Sequence, residues 1–212
     1  NKLKGLDPNK AQGPDQIPAR VLKELSRELA FPLTVLFNKS IATGIVPDEW
    51  KTAEVTAIFK KGSRSDPGNY RPVSLTCITG KVLEAIVRDS IVDYFNQYGF
   101  YSECQHGFRN KRSCMSQLLQ VMERLTLAFD ESTPVDVVYL DFRKAFDTVP
   151  HERLVLKLEA YGITGRISGW VKSFLSDRSQ RVRVNEDYSG NTAVRSGIPQ
   201  GSILGPILFT IF

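Results

Sequence analysis

Cysteine is scarce in the 212 residues: Cys77, Cys104 and Cys114, with no CxxC pair. An odd, sparse set builds no disulfide framework and fits a reducing compartment. The two histidines, His106 and His151, have no Cys or His neighbours at zinc-ligand spacing. GxSxG, GxxxxGK[ST] and GxGxxG are all missing, which removes the nucleophile elbow, the P-loop and the dinucleotide turn. No apolar run approaches about 20 residues, so no segment reads as a membrane span. No signal peptide opens the chain, and no internal repeat or low-complexity linker interrupts it. It starts at Asn1 and stops inside GSILGPILFTIF without a cap or turn, which reads as an internal fragment of a longer protein.

What is present is globular in character. The chain is 42% hydrophobic and 24% charged, long enough for one large domain or two small ones. The net charge of +5 is a mild basic bias that favours polyanions such as nucleic acid. Apolar residues recur at helical spacing from Pro18 to Gly44, where Pro32 should split or kink the run and Gly44 should cap it. Ala53 to Phe59 reads as a strand, followed by the polar loop KKGSRSDPGNYRP. Gly80 to Gly99 reads as a long amphipathic helix, and SCMSQLLQVMERLTLAFDE as another. PVDVVYLDF then reads as a strand. Two short helices follow, and QRVRVN and NTAVR form a hairpin around EDYSG. Helices and strands mix without regular βαβ alternation, which predicts an α+β fold.

The chemistry concentrates in three places. VVYLDFRKAFDTV opens as a buried strand would, then sets Asp141 at its end and Asp147 six positions on. Burying an unpaired carboxylate is expensive, so such a group neutralises, finds a partner or binds a metal; Asp141 is well placed for a divalent cation, with the Phe142 carbonyl beside it as a further oxygen. The alternative is an N-cap for a short helix over RKAFDTV. Asp147 reads as structural, an Asx turn before Pro150. Lys60, Lys61, Arg64 and Arg71 fill a loop that either meets phosphate or is simply solvated. SGIPQGSILGP joins a strand to a helix; its glycines permit close backbone approach, and Gln200 offers both a donor and an acceptor. Phe146 needs no explanation beyond core packing.

Taken in order, these segments resemble the reverse transcriptases of non-LTR (LINE-type) retrotransposons. The carriers are KAQGPDQIPARVLK, FKKGSRSDPGNYRPVSL, QHGFRNKRSC, VVYLDFRKAFDTVPHERLVLKL and SGIPQGSILGPILFTIF, and the finer likeness is to the jockey or CR1 kind of element. The resemblance implies a right-hand polymerase fold with α+β architecture: fingers over residues 1–134 and a truncated palm over 135–212, without the thumb. It implies an RNA-directed DNA polymerase that adds dNTPs to a DNA primer on an RNA template with two Mg²⁺ ions. Asp141 and the Phe142 carbonyl match the metal ligands. Phe146 matches the steric gate against the ribose 2′-hydroxyl. Lys60, Lys61 and Arg71 match the triphosphate contacts, and Gln200 and Gly201 the nucleotide pocket. Arg109, Lys111 and Arg112 match template or primer phosphate contacts. One nucleotide touching Asp141, Arg71, Phe146 and Gln200 would require all four to face one cleft.

One departure stands out. The family's second carboxylate block, an aromatic-Ala-Asp-Asp turn, is missing from these residues, as are a thumb and an endonuclease. The expected parent is therefore a retrotransposon polyprotein, and the fragment alone is expected to be inactive. The rival reading is a catalytically dead, RNA-binding polymerase scaffold. A Mg²⁺-dependent phosphatase with Asp141 as nucleophile leaves the other blocks without a role. Localisation is not written in these residues; the nucleus is expected for target-site integration.

Overall fold

The computed structural model describes residues 1–212. The first helical run divides into α1 (Ala19–Glu24) and α2 (Ala30–Thr43). The break falls upstream of Pro32, which lies in the first turn of α2. There its missing N–H would have had no intrahelical acceptor, so the proline costs the helix little. Gly44 closes α2 in a left-handed C-cap, and Gly99 closes α3 (Ile78–Tyr98) in the same way.

The strand at Ala53 forms as β1 (Thr52–Phe59), and β2 (Tyr70–Leu75) returns beside it. They pair antiparallel, Phe59 opposite Tyr70 and Glu54 opposite Leu75. The basic loop is therefore the tip of a β-hairpin, and it is internally tied: Asn69 Nδ2 donates to the Ser63 carbonyl, Tyr70 Oη to that of Arg64. Beyond α4 (Cys114–Asp130) come α5 (His151–Ala160) and α6 (Gly165–Leu175). Strand β3 (Arg178–Val184) then pairs parallel to β1, a pairing that needs the long intervening crossover. It also carries β4 (Asp187–Tyr188) and β5 (Thr192–Val194), giving the predicted hairpin and the order β2-β1-β3-β4, with β5 on β3. Helix α7 (Gly205–Ile211) follows. The fold is mixed α+β.

The core gathers residues from most helices: Phe37, Leu83, Phe95, Leu154, Leu158, Trp170, Leu204 and Leu208 are all buried in one cluster. Trp170 keeps its indole N–H satisfied by donating to Ser40 Oγ at 2.9 Å. The one core and one sheet draw on residues from both sides of position 134.

Two expectations need correction. PVDVVYLDF forms no strand; residues 135–142 have no ladder partner and make no hydrogen bond. Tyr139 is 90% exposed and Leu140 88%. The β-forming residues are there, but the sheet closes through β1 and β3 and leaves this segment beside nothing. Helix α4 shares that situation: Ser113 caps it in a reciprocal box with Ser116, yet Leu118, Leu119, Met122 and Phe129 are all exposed. RKAFDTV likewise forms turns rather than a helix, with Lys144 at φ 52, so Asp141 caps nothing.

Candidate functional site

Two stretches far apart in sequence are stitched together. Residues 143–148 turn tightly, with Asp147 N–H donating to the Lys144 carbonyl at 2.9 Å. The turn directs the carbonyls of Phe146 and Val149 at the loop that follows β5. Ile198 N–H donates to Phe146 O at 2.7 Å and Gly197 N–H to Val149 O at 2.9 Å. His151, first residue of α5, donates from Nε2 to the Gly197 carbonyl at 2.7 Å, which assigns the proton to that nitrogen. Backbone approaches backbone so closely that a Cβ on Gly197 would lie 2.7 Å from the Asp147 carbonyl oxygen, at φ +86. No other residue fits there.

The loop is held from two further sides. Ser74 of β2 donates its N–H to the Gln200 carbonyl at 2.7 Å. Glu84 of α3 accepts from the N–H groups of Ile203 and Leu204, at 2.7 and 3.1 Å, through one oxygen, Oε2. Glu84 is 3% exposed. Burial pushes its carboxyl above the usual range, while the two N–H donors, Arg178 and Lys81 pull it back. Burial pushes the Arg178 guanidinium down in turn; it donates to the carbonyls of Phe174 and Trp50.

A cleft of about 190 Å³ opens beside this stitched unit, lined by Pro72, Ser74, Asp147, Arg178, Gln180 and Gln200 among others. Gln200 Nε2 donates to Asp147 Oδ1 there at 2.8 Å. The Asx turn expected of Asp147 is not formed by its carboxylate, whose partner is the distant Gln200 rather than its own turn. The cleft contains Gln200 alone of the four residues expected to share one. Asp141 is exposed and makes no hydrogen bond or ion pair. Arg71 alternates along β2 with Pro72 and Ser74, which line the cleft, so it stands on the other face of the sheet. Phe146 is half-buried, its ring stacked on Phe209 of α7 at 4.9 Å. On Arg71's face, Leu75 and Gly201 border a second recess together with Lys10 and Lys81. A Cβ on Gly201 would lie 2.7 Å from Ser74 O, at φ +115.

The basic side chains differ in availability. Lys60, Lys61 and Arg71 are exposed and form no ion pair. Arg109 is packed over Tyr101, donates to the Ser102 carbonyl and shares Glu103 with Arg112; Lys111 is exposed. No three His, Cys, Asp or Glu side chains converge as a metal cluster. Asp141 and the Phe142 carbonyl do not by themselves make up a ligand set for two octahedral ions.

Sequence reasoning missed Glu84 and His151 as loop anchors. Glu84 had a signal: it lies at helical spacing with Val87 and Ile91, a charge on the buried stripe of α3.

A family model described as "Reverse transcriptase (RNA-dependent DNA polymerase)" matches residues 58–212, the span from the hairpin tip through the stitched loops. Curated relatives extend the match to nearly the whole chain. It is 31% identical over 211 residues to a probable RNA-directed DNA polymerase from transposon BS of Drosophila melanogaster, covering 99% of the chain and 23% of that protein. It is 35% identical over 205 residues to one from the X-element of the same organism, covering 96% and 22%. It is 30% identical over 213 residues to the RNA-directed DNA polymerase from its mobile element jockey, covering 100% and 23%. The chain thus spans under a quarter of the length of these relatives. With the family match covering well over half of its residues, the chain belongs to the reverse transcriptase family, as a domain homologous to the polymerases of non-LTR retrotransposons.

Proposed function

We propose that the chain supplies the fingers (residues 1–134) and the first part of the palm (135–212) of an RNA-directed DNA polymerase that copies retrotransposon RNA from a DNA primer. The observation that carries this is the stitching of the DFRKAFDTVPH segment to the IPQG loop, inside the span matched by the family. Chemistry on a nucleotide needs its contact groups held rigidly, and this unit is anchored from three directions.

Within that reading each side chain has a task. Gln200 and Gly201 shape the nucleotide pocket, with Gly201 leaving room where any side chain would meet β2. Phe146, braced by Phe209, is the wall against a 2′-hydroxyl. Lys60, Lys61 and Arg71 lie along the exposed hairpin and offer charge to a triphosphate, which requires the Arg71 side chain to reach round from the sheet face opposite the Gln200 cleft. Arg109, Lys111 and Arg112 meet template or primer phosphates, which requires Arg109 and Arg112 to exchange Glu103 for phosphate. Asp141 and the Phe142 carbonyl contribute to a divalent-cation centre, Mg²⁺ being the ion suited to hard oxygen donors and phosphate. The cation's chemistry, when bound, is to neutralise charge on the reacting phosphates. The partners are an RNA template, a DNA primer, dNTPs and the remainder of a retrotransposon polyprotein.

The test is primer extension on an RNA template by the complete reading frame. Wild-type protein should extend the primer and Asp141→Asn should not, since a neutral amide is a poor cation ligand of nearly the same shape. Full activity in Asp141→Asn would remove Asp141 from the site. Template binding without extension by the wild type would favour the non-catalytic scaffold.

A further inference from the structure

We propose that Asp147 is a positioning residue for Gln200, fixing which end of its carboxamide faces a bound nucleotide; this rests on the reading that the 196–201 loop lines the nucleotide pocket. Gln200 Nε2 lies 2.8 Å from Asp147 Oδ1. An ionised carboxylate only accepts, so it can bond the amide through the NH₂ end alone. Oε1 of Gln200 is therefore turned away from Asp147. A glutamine without such a partner can flip, offering donor or acceptor with similar ease. With the carboxylate in place the site offers a fixed acceptor, suited to a hydroxyl or amino hydrogen of the nucleotide.

Asp147 can impose this because it is itself immobilised. Its N–H donates to the Lys144 carbonyl at 2.9 Å and its carbonyl accepts from Ser196 Oγ at 3.1 Å. Phe146 just before it and Val149 two residues after it accept from Ile198 and Gly197 of the same loop. At the other end the Gln200 carbonyl is pinned by Ser74 N–H. Both the backbone and the amide nitrogen of Gln200 are thus committed. Asp147 is exposed and lies outside the core, so losing its carboxylate should leave folding largely intact. The bond is charge-assisted, a class whose loss changes affinity by about tenfold or more.

The experiment has two arms. In the complete polymerase, dNTP KM and kcat are measured for Asp147→Ala, Gln200→Ala, the double variant and Asp147→Asn, with primer–template affinity as a control. Asp147→Ala should raise dNTP KM about tenfold with primer–template binding unchanged. The double variant should be no worse than Gln200→Ala. Asp147→Asn should recover part of the loss, because its carbonyl oxygen still accepts. Multiplying effects in the double variant, or an unchanged KM in Asp147→Ala, overturns the proposal. In the second arm, the 212-residue chain labelled with ¹⁵N-glutamine is followed by NMR. The Gln200 NH₂ signals should shift and approach free-amide behaviour in Asp147→Ala. Unchanged signals overturn the pair itself. An unchanged dNTP KM in Gln200→Ala, with the signals shifting as expected, overturns the nucleotide-pocket reading instead.

Discussion

Replacing Glu84 tests the anchoring of the pocket loop most directly. Its Oε2 accepts two backbone N–H groups, from Ile203 and Leu204, deep between α3 and the start of α7. Glu84→Ala removes the acceptor shared by both donors, where water has little access. A buried donor left unpaired costs about 1–3 kcal/mol. Two such donors, with the small void left behind, predict a loss of about 3–5 kcal/mol. For a chain of this length that lowers Tm by roughly 10 °C. Glu84→Gln keeps a carbonyl oxygen for the two N–H groups but leaves the buried Arg178 without its counter-charge, so it should lose stability yet remain above Glu84→Ala. The two variants also differ in pH dependence. The folded-state pKa of Glu84 is raised by burial, so the folded chain holds this proton more tightly than the unfolded chain does. Its contribution to stability is therefore greatest at low pH. It declines as pH rises from the ordinary carboxylate value through the raised one, and is level above that. Glu84→Gln should abolish that slope. Urea denaturation followed by far-UV circular dichroism across pH reads both effects. A Glu84→Ala variant within about 1 kcal/mol of the parent, or a Glu84→Gln variant as weak as it, would refute the anchoring.

Further expectations address other parts of the site. Gly201→Ala sets a Cβ 2.7 Å from the Ser74 carbonyl at a positive φ; it should cost several kcal/mol (about 2–4) and loosen the loop, seen as faster amide exchange at Ser74. Phe146→Val in the complete polymerase should admit ribonucleotides while largely sparing dNTP use; unchanged discrimination would place the gate elsewhere. Primer–template affinity should fall steeply with added salt and show little sequence preference, as phosphate contacts require; a flat salt dependence would contradict roles for Arg109, Lys111 and Arg112.

Much of the fold was legible because it is local. Helical periodicity, with glycine at the left-handed caps Gly44 and Gly99, marks α2 and α3. The β-prone run Ala53–Phe59 marks β1 but not its partner β2: Tyr70, Arg71 and Pro72 read as loop, and yet they pair with β1. What resisted was non-local. Nothing in VVYLDF tells whether a neighbouring strand will be there, since the ladder bonds come from elsewhere in the chain. Periodicity exposes Glu84 as anomalous but does not name Ile203 and Leu204 as its donors. The family resemblance marked Gln200 for the site. It could not supply the bond to Asp147, whose own context pointed to a local turn. The alternation of Arg71 with Pro72 and Ser74 was readable, yet only the position of the 196–201 loop shows which face meets the cleft.

The segment that bears Asp141 has a consequence for anyone handling this chain. Residues 135–142 present a largely apolar, exposed stretch whose amides and carbonyls make no hydrogen bond. Such a stretch is a template for intermolecular cross-β stacking, and the uncovered Met and Leu side chains of α4 add a sticky flank. The charges that interrupt it, Asp136 and Asp141, act as gatekeepers against that stacking. Neutralising Asp141, the substitution that tests its proposed cation-binding role, therefore also strips a solubilising charge from an exposed apolar stretch. Dead enzyme and precipitated enzyme must be told apart, by light scattering on the same samples, before a lost activity is credited to chemistry.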